Sequence, residues 1–258
     1  MTREPASDPA GALALLHRSA DAVAAALGDT EDWGLAGTRP GQYRSDLVAD
    51  AAAHAVLDGA GVEVLSEESG LRPADGLHVS GVVVVVDPLD GSTNAHRGVP
   101  WFATSLCALD EDGPVAAVVH DLARGARFDA VRGGGARRDG NVIAPTGCER
   151  LDQAFVGLAG WPPRHLGWAQ SRTLGAAALD LCAVAAGVLD AFVDCSVDAH
   201  GPWDYLGGLL VCREAGAAVA DGFGRELVVL EHAARRTPVA AATQELLDAL
   251  LAARRSFT

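Results

Sequence analysis

The stretch that most constrains the fold is residues 82–94, VVVVVDPLDGSTN. Five consecutive β-branched valines without polar alternation favour a strand that is buried on both faces. Asp87 ends that strand, and Pro88 favours a turn because it has no N–H to continue a ladder. Asp90 follows the turn, so we expect two carboxylates to lie close together at the end of a stiff, buried strand.

Two carboxylates at this spacing need a compensating cation. They repel each other and raise each other's pKa unless a positive charge lies between them. The chain has no lysine, so the cation is either an arginine, of which Arg97 is the nearest downstream, or a metal ion. Carboxylate oxygens without a nearby histidine or thiolate suit Mg²⁺ or Mn²⁺ better than zinc. The alternative interpretation is an ordinary Asp-Pro…Asp-Gly turn that caps a helix.

The small residues 91–94, Gly-Ser-Thr-Asn, are typical of a turn that opens a helix. The free backbone N–H groups of such a turn bind anions such as phosphate. Metal-binding carboxylates beside an anion site together make a site for a phosphate ester. Two further acidic stretches can join it: SEES at 66–69 and WDYLGG at 203–208. Each is weak alone, because a Glu pair is usually a solvated face and an Asp at a helix start is usually a cap.

The order of predicted elements changes near residues 145–155. Helices are expected at 9–27 and 47–61, followed by short strands that include 62–68, 78–87, 103–113, 114–125 and 126–135. Later come a helix at 172–191, a strand at 191–197, a helix from 203, and a helix at 243–256 with Thr243 as its N-cap. We predict an α+β or α/β fold, with a mostly antiparallel half at 1–148 and a smaller α/β half at 149–258.

Composition excludes several classes of protein. The formal net charge of -14 argues against non-specific nucleic-acid binding. The five cysteines are widely spaced and form no C-x-x-C, which favours free thiols in a reducing compartment over a zinc site or disulfides. Residues 1–11 carry charges where a signal peptide has its apolar core, and no apolar run reaches membrane-spanning length. We expect a cytoplasmic protein that binds neither nucleic acid nor membranes.

Taken together, the three acidic stretches resemble the inositol monophosphatase family of metal-dependent, lithium-sensitive phosphatases. Its Gly-Glu-Glu-Ser type motif is met by SEES at 66–69, and its Asp-Pro-Ile/Leu-Asp-Gly-Thr/Ser-x-Asn motif by 87–94. Its Trp-Asp-x-x-Gly/Ala motif is met by 203–207. The similarity covers most of residues 46–221. It implies a layered αβαβα sandwich, a homodimer and a Mg²⁺-dependent phosphomonoesterase.

The resemblance also implies roles for individual residues. The metal ligands for two or three Mg²⁺ ions, with Mn²⁺ possible, are Glu67, Asp87, the carbonyl of Leu89, Asp90 and Asp204. Glu67 and the Ser92 hydroxyl, which stands where the family usually has threonine, orient the attacking water. An aspartate of the second helix supports that water; it is Asp50 or Asp46, and we favour Asp50. The substrate contacts are Asp90, Gly91, Ser92, Thr93, Asp198 and Asp204.

The substrate implied is a small phosphorylated polyol or sugar, with inositol 1-phosphate as the first candidate. Relatives that prefer inositol phosphate carry a glutamate shortly before Trp-Asp; its register falls on Val197, and Asp198 replaces it with a shift of one residue or is merely a turn residue. Histidinol phosphate, fructose 1,6-bisphosphate and 3′-phosphonucleotides are alternative substrates. A different class is a non-catalytic regulator that binds a phosphorylated metabolite. The stretch 143–172 is shorter than in most relatives, so we expect a missing helix or strand and a more open cleft there.

Overall fold

The chain folds into five layers in the order helix, sheet, helix, sheet, helix, in a computed structural model that describes residues 8–74 and 81–255. The helices are α1 (Pro9–Gly28), α2 (Arg44–Leu57), α3 (Ser92–Arg97), α4 (Ala177–Ala185), α5 (Pro202–Ala215) and α6 (Gln244–Arg254). The strands of the first sheet are β1 (Glu63–Ser66), β2 (Gly70–Arg72), β3 (Val83–Asp90), β4 (Ala103–Asp110), β5 (Gly113–Asp121), β6 (Arg127–Val131), β7 (Gly135–Arg138) and β8 (Asn141–Val142). Those of the second sheet are β9 (Phe155–Ala159), β10 (Gln170–Arg172), β11 (Ala191–Asp194), β12 (Ala218–Asp221) and β13 (Pro238–Ala241). The predicted layered sandwich is confirmed.

The first sheet places β3 deep inside the molecule. Its order is β2-β1-β3-β4-β5-β6-β7-β8, with β1 and β3 parallel and the other neighbours antiparallel. Val84 and Val86 pack in the core beneath α1 and α2, whereas Val85 faces the core shared with α4 and α5. All three are at most 1% exposed, as the uninterrupted valines predict. Residues 78–80 of the predicted strand lie outside the described residues.

The second sheet is mixed and shares a core with the first. Its order is β10-β9-β11-β13-β12; β9 runs parallel to both of its neighbours, and β13 is antiparallel to both of its own. The middle helical layer, α4 and α5, lies between the sheets, and α6 covers the outer face. The predicted halves 1–148 and 149–258 each carry one sheet. Their division into two domains stays a prediction. Helix α5 packs against five strands of the first sheet and against β12.

Helix α4 is much shorter than the predicted helix at 172–191. Gly175, with φ 89°, and Gly187, with φ 67°, both adopt left-handed backbone conformations that a right-handed helix cannot contain. The helical composition outside Ala177–Ala185 is therefore overridden at both ends by glycine turns.

Capping groups fix the starts of α2 and α6. Helix α2 begins at Arg44, three residues before the predicted start, because the Asp46 carboxylate accepts the Tyr43 backbone N–H at 2.8 Å and closes the first turn. The predicted N-cap Thr243 is confirmed, since its hydroxyl oxygen accepts a backbone N–H three residues on. Residue 256 of that predicted helix lies outside the described residues. Between residues 143 and 172 the chain forms a 3₁₀ turn at Leu151–Gln153 and the strands β9 and β10, with no α-helix in that part.

The cysteines are all free thiols, as predicted, and four of the five are buried. Within residues 8–74 and 81–255, no helix combines the length and the apolar character needed to cross a bilayer. Residues 1–7 of the amino-terminal stretch considered above lie outside the described residues.

Candidate active site

Three carboxylates that are distant in sequence meet at one edge of the first sheet. Strands β1 and β3 are parallel, so Glu67, just after β1, lies beside Asp87 near the end of β3. Asp204, the third residue of α5, enters from the middle layer. One oxygen from each of these three carboxylates lies within 4.8 Å of the others. The structure therefore brings together one residue from each of the three sequence motifs.

Hydrogen bonds to backbone fix the aspartates of this cluster. One oxygen of Asp87 accepts the Leu89 N–H at 3.0 Å, and one oxygen of Asp90 accepts the Ala178 N–H at the start of α4, at 2.7 Å. One oxygen of Asp204 accepts the backbone N–H just before α5, also at 2.7 Å. Asp204 is thus a helix-capping residue, as the simpler interpretation held, and a member of the cluster as well. Asp90 also accepts the Ala177 backbone N–H, and Asp204 shares a side-chain hydrogen bond with Asp87.

Burial and mutual repulsion leave these carboxyls poorly ionised. Burial, followed by the charge of Asp204, raises the pKa of Glu67 to about 8 and that of Asp90 to about 7. Burial, followed by the charge of Glu67, raises the pKa of Asp87 well above its ordinary range. The Arg39 charge acts in the opposite direction on Glu67 without restoring its usual pKa. The arrangement therefore favours a bound cation, and its all-carboxylate donor set fits a hard divalent ion.

A helix start adjoins the carboxylates. Gly91 has a φ of 82°, and an added Cβ would lie 3.0 Å from the Trp101 carbonyl oxygen, so glycine is required where the chain leaves β3 for α3. Ser92 is the first residue of α3, where the leading N–H groups have no acceptor within the helix. The Thr93 hydroxyl lies 3.3 Å from the Tyr43 hydroxyl. The predicted phosphate contacts Gly91 and Ser92 thus lie at the start of α3.

A cavity of about 220 Å³ opens over the Glu67 side of the cluster. Its lining includes Glu67, Leu89, Ser92 and Asp46. One oxygen of Asp46 bonds the Tyr43 N–H, and the other is buried without a hydrogen-bond partner. Burial raises the pKa of Asp46 to about 6.

Asp50, the aspartate favoured from the sequence, lies elsewhere. Its carboxylate accepts the Ser66 hydroxyl at 2.5 Å and lies 3.7 Å from Nε2 of His54. It is absent from the described lining of the cavity. One helical turn separates the two aspartates, and the structure places Asp46, not Asp50, with Glu67 and Ser92.

A second cavity of about 320 Å³ has Asp90 and Asp204 in its lining. Neither Val197 nor Asp198 is among its described lining residues. Val197 is 71% exposed, and Asp198 forms an ion pair of 2.7 Å with Arg225 from a left-handed turn.

A polar pair at this second cavity was not predicted from the sequence. His200 lines the cavity, and its Nδ1 lies 2.8 Å from the carboxylate of Asp194 at the end of β11. A signal was present, because Asp194 is a lone carboxylate within the otherwise apolar start of the predicted strand 191–197, and the observed strand ends at it.

Sequence comparisons relate this chain to proteins of one family. The sequence model of the inositol monophosphatase family matches residues 46–258. A fructose-1,6-bisphosphatase of Pyrococcus furiosus is 35% identical over 196 residues, which are 74% of each chain. An inositol-1-monophosphatase of Mesorhizobium japonicum is 36% identical over 205 residues, 70% of this chain and 73% of that protein. The Nus factor SuhB of Escherichia coli is 34% identical over 177 residues, 62% of this chain and 63% of that protein.

Solved structures show the same fold. A Pyrococcus horikoshii protein described as similar to inositol-1 monophosphatase superposes with a TM-score of 0.78 at 27% identity, covering 94% of this chain and 96% of that one. SuhB of Mycobacterium tuberculosis gives 0.72 at 29% identity, covering 99% and 98%. Two of the relatives are named as phosphatases, which supports the predicted class of phosphoric monoester hydrolase. Since the family match extends over residues 46–258 and includes all three acidic motifs, the chain belongs to the inositol monophosphatase family.

Proposed function

We propose that this protein is a Mg²⁺-dependent phosphomonoesterase that hydrolyses a small phosphorylated polyol or sugar, with inositol 1-phosphate as the first candidate. The observation that carries the proposal is the convergence of Glu67, Asp87 and Asp204 within 4.8 Å, next to the helix start at Ser92. A cation site beside an anion site is what a phosphate ester requires.

The residues that would hold the metal are Glu67, Asp87, the Leu89 carbonyl, Asp90 and Asp204. Their oxygen donors suit two or three Mg²⁺ ions, with Mn²⁺ as a substitute. Such cations supply charge neutralisation for the phosphoryl oxygens and lower the pKa of the attacking water.

The protein's own groups would orient the reactants. The N–H groups of Gly91 and Ser92 donate to the phosphoryl oxygens, and the Thr93 hydroxyl stands beside them. The attacking water fits the first cavity, where the Ser92 hydroxyl and the Glu67 carboxylate can bond it. Catalysis then rests on positioning and on electrostatic stabilisation of the transferred group.

Asp46 is the aspartate we propose to support the water, in place of Asp50. Its unpartnered buried oxygen gains a hydrogen bond when a water occupies the cavity. We expect Asp46→Asn to lower kcat by about a hundredfold, the usual range for a lost general base. The matched variant Asp50→Asn should lower it by less than about fivefold and act mainly on stability, because an amide oxygen accepts the Ser66 hydroxyl less strongly than a carboxylate does. A larger kcat loss for Asp50→Asn would assign the role to Asp50.

The test of the proposed function is phosphate release from a panel of esters with Mg²⁺. The panel contains inositol 1-phosphate, histidinol phosphate, fructose 1,6-bisphosphate and a 3′-phosphonucleotide. We expect the wild type to hydrolyse at least one, and Asp90→Asn to lose about a hundredfold or more in kcat/KM. Asp152→Asn removes a carboxylate paired with Arg150 on the surface and serves as the control. Absence of turnover on every ester, or an Asp90→Asn variant equal to wild type, would refute the proposal.

A second candidate function is binding of a phosphorylated metabolite without hydrolysis. The relatives named Nus factor SuhB favour it, because that name is not one of a phosphatase. In this case the same esters would bind to the Mg²⁺-loaded protein in calorimetry and release no phosphate. The homodimer and the cytoplasmic location stay predictions. The molar mass in solution, measured by light scattering during size-exclusion chromatography, tests the homodimer.

A further inference from the structure

We propose that His232 is a positioning residue that fixes the separation of Glu67 and Asp204, two of the proposed Mg²⁺ ligands. The inference rests on the proposed function, because it concerns the ion that the carboxylate cluster would bind. Glu67 follows β1 in the first sheet, whereas Asp204 lies in α5. Their separation therefore depends on how α5 packs against that sheet, and a cross-link between the two elements would hold it constant.

The connection between β12 and β13 forms a strap, residues 226–236, that is anchored to the α5 region at two points. Near its start, the wholly buried side chain of Tyr205 on α5 donates its hydroxyl to the Leu227 carbonyl at 2.7 Å. At its end, the backbones of Arg236 and His200, just before α5, exchange two hydrogen bonds. The strap is thus fixed relative to α5 and to Asp204.

From this strap, His232 reaches the first sheet. Its Nε2 lies 3.2 Å from the backbone carbonyl oxygen of Glu67. A carbonyl oxygen can only accept, so Nε2 carries the proton and donates. Arg39 makes a longer contact of 3.4 Å with the same oxygen, and the Glu67 N–H donates to the Val86 carbonyl at 3.1 Å. Both backbone groups of Glu67 are therefore bonded to other segments, which restricts where its carboxylate can lie.

The ring of His232 also contacts the residue next to Asp204. The ring centroids of His232 and Trp203 are 4.8 Å apart, and the guanidinium of Arg235 lies 5.2 Å from the Trp203 ring centroid. Arg235 donates to the carbonyls of His232 and Ala234 at 2.9 and 2.8 Å, which stabilises this part of the strap. Trp203 is only 4% exposed, so its ring is a fixed support. His232 thus contacts Glu67 on one side and the neighbour of Asp204 on the other.

The test measures Mg²⁺ binding to the full chain by calorimetry without any phosphate ester, so the result does not depend on hydrolysis. We expect His232→Phe, which keeps a ring beside Trp203 and removes the donor, to raise the Kd about tenfold, the lower end of the loss when a partner of a metal-binding group is removed. His232→Gln keeps a side-chain N–H and should stay within about threefold of wild type. His165→Phe is the matched control, because that ring also lies beside a tryptophan, 5.1 Å from the ring of Trp168, between β9 and β10.

A purely structural role of His232 predicts a different result. His232→Phe would then lower the midpoint of urea unfolding in chelator and leave the Kd for Mg²⁺ unchanged. Because the His232 side chain is exposed, we expect its midpoint to match that of His165→Phe instead. A wild-type Kd for His232→Phe overturns the inference, and so does an equal rise of the Kd in His232→Phe and His232→Gln.

The outcomes separate this inference from the proposed function. Mg²⁺ affinities in the expected order, with no phosphate released from any ester, would refute the phosphatase assignment and leave the role of His232 standing. Phosphate release by a protein whose Mg²⁺ affinity is the same with His232 and with phenylalanine would overturn the inference alone. A wild type that binds no Mg²⁺ would overturn both.

Discussion

Without divalent cations, the free energy of unfolding of this protein should fall as the pH rises. In the fold the pKa of Asp90 is about 7, against an ordinary 3.8, and that of Glu67 is about 8, against 4.5. Above pH 5 the unfolded chain has lost most of both protons, whereas the folded cluster keeps most of them until the pH approaches its own pKa values. Stability is therefore highest at acidic pH and falls as the pH rises toward the folded pKa values.

The size of the effect follows from the number of protons. Each proton held only by the folded state lowers the free energy of unfolding by about 1.4 kcal/mol per pH unit. The cluster shares its protons among neighbouring carboxyls, so one to two of them give a slope of about 1 to 3 kcal/mol per unit. Asp90→Asn removes one ionisable group and should make the slope shallower by up to about 1.4 kcal/mol per unit.

The assay is urea unfolding at pH 5, 6 and 7, in chelator and in Mg²⁺. A cation binds the deprotonated cluster, so its stabilisation should grow with pH and reach about 2.7 kcal/mol at a hundred times Kd. Asp152→Asn, at the surface, should keep the wild-type slope. Equal slopes for wild type and Asp90→Asn in chelator, or equal stabilisation by Mg²⁺ at pH 5 and 7, would refute the reasoning.

Two further predictions concern single side chains. Ser92→Ala should lower kcat for phosphate release by about a hundredfold, while Ser92→Thr keeps the hydroxyl and should stay within about threefold of wild type; equal activity of the two variants would exclude a role for the hydroxyl. Gly208→Ala should lower the free energy of unfolding in urea by about 1 to 2 kcal/mol, because the new Cβ would lie 2.6 Å from Leu181 Cβ, and the overpacking exceeds the gain in helix propensity. Gly28→Ala, whose Cβ would meet nothing within 4 Å, is the control and should change the stability by less than about 0.5 kcal/mol.

The parts of the site that sequence could predict are those built from local signals. The valine run 82–86 specifies a buried strand, and the residues after it specify a turn and a helix start, so Asp87, Asp90 and Ser92 were expected together. Their meeting with Glu67 and Asp204 was expected only from the family resemblance. No spacing in the chain shows that β1 and β3 are parallel neighbours.

The parts that sequence could not predict depend on how a helix is rotated about its axis and on contacts between residues distant in the chain. Asp46 and Asp50 are one helical turn apart, and the start of α2 at Arg44 and its packing decide which of them faces the cavity. Asp198 is diverted by Arg225, which is distant in sequence. The pairing of Asp194 with His200 requires the turn between β11 and α5, whose geometry depends on contacts from Arg254 and Arg236.

The position of α5 between the two sheets has a practical consequence. A chain cut between Val142 and Phe155 would give two fragments, each exposing half of a shared apolar core. The first fragment would hold Glu67 and Asp87 and the second Asp204, so neither would form the three-carboxylate cluster alone. Reassociation would restore the core and the cluster in one step. Fused to two other proteins, the fragments would form a split reporter in which phosphate release signals that the fused proteins have met.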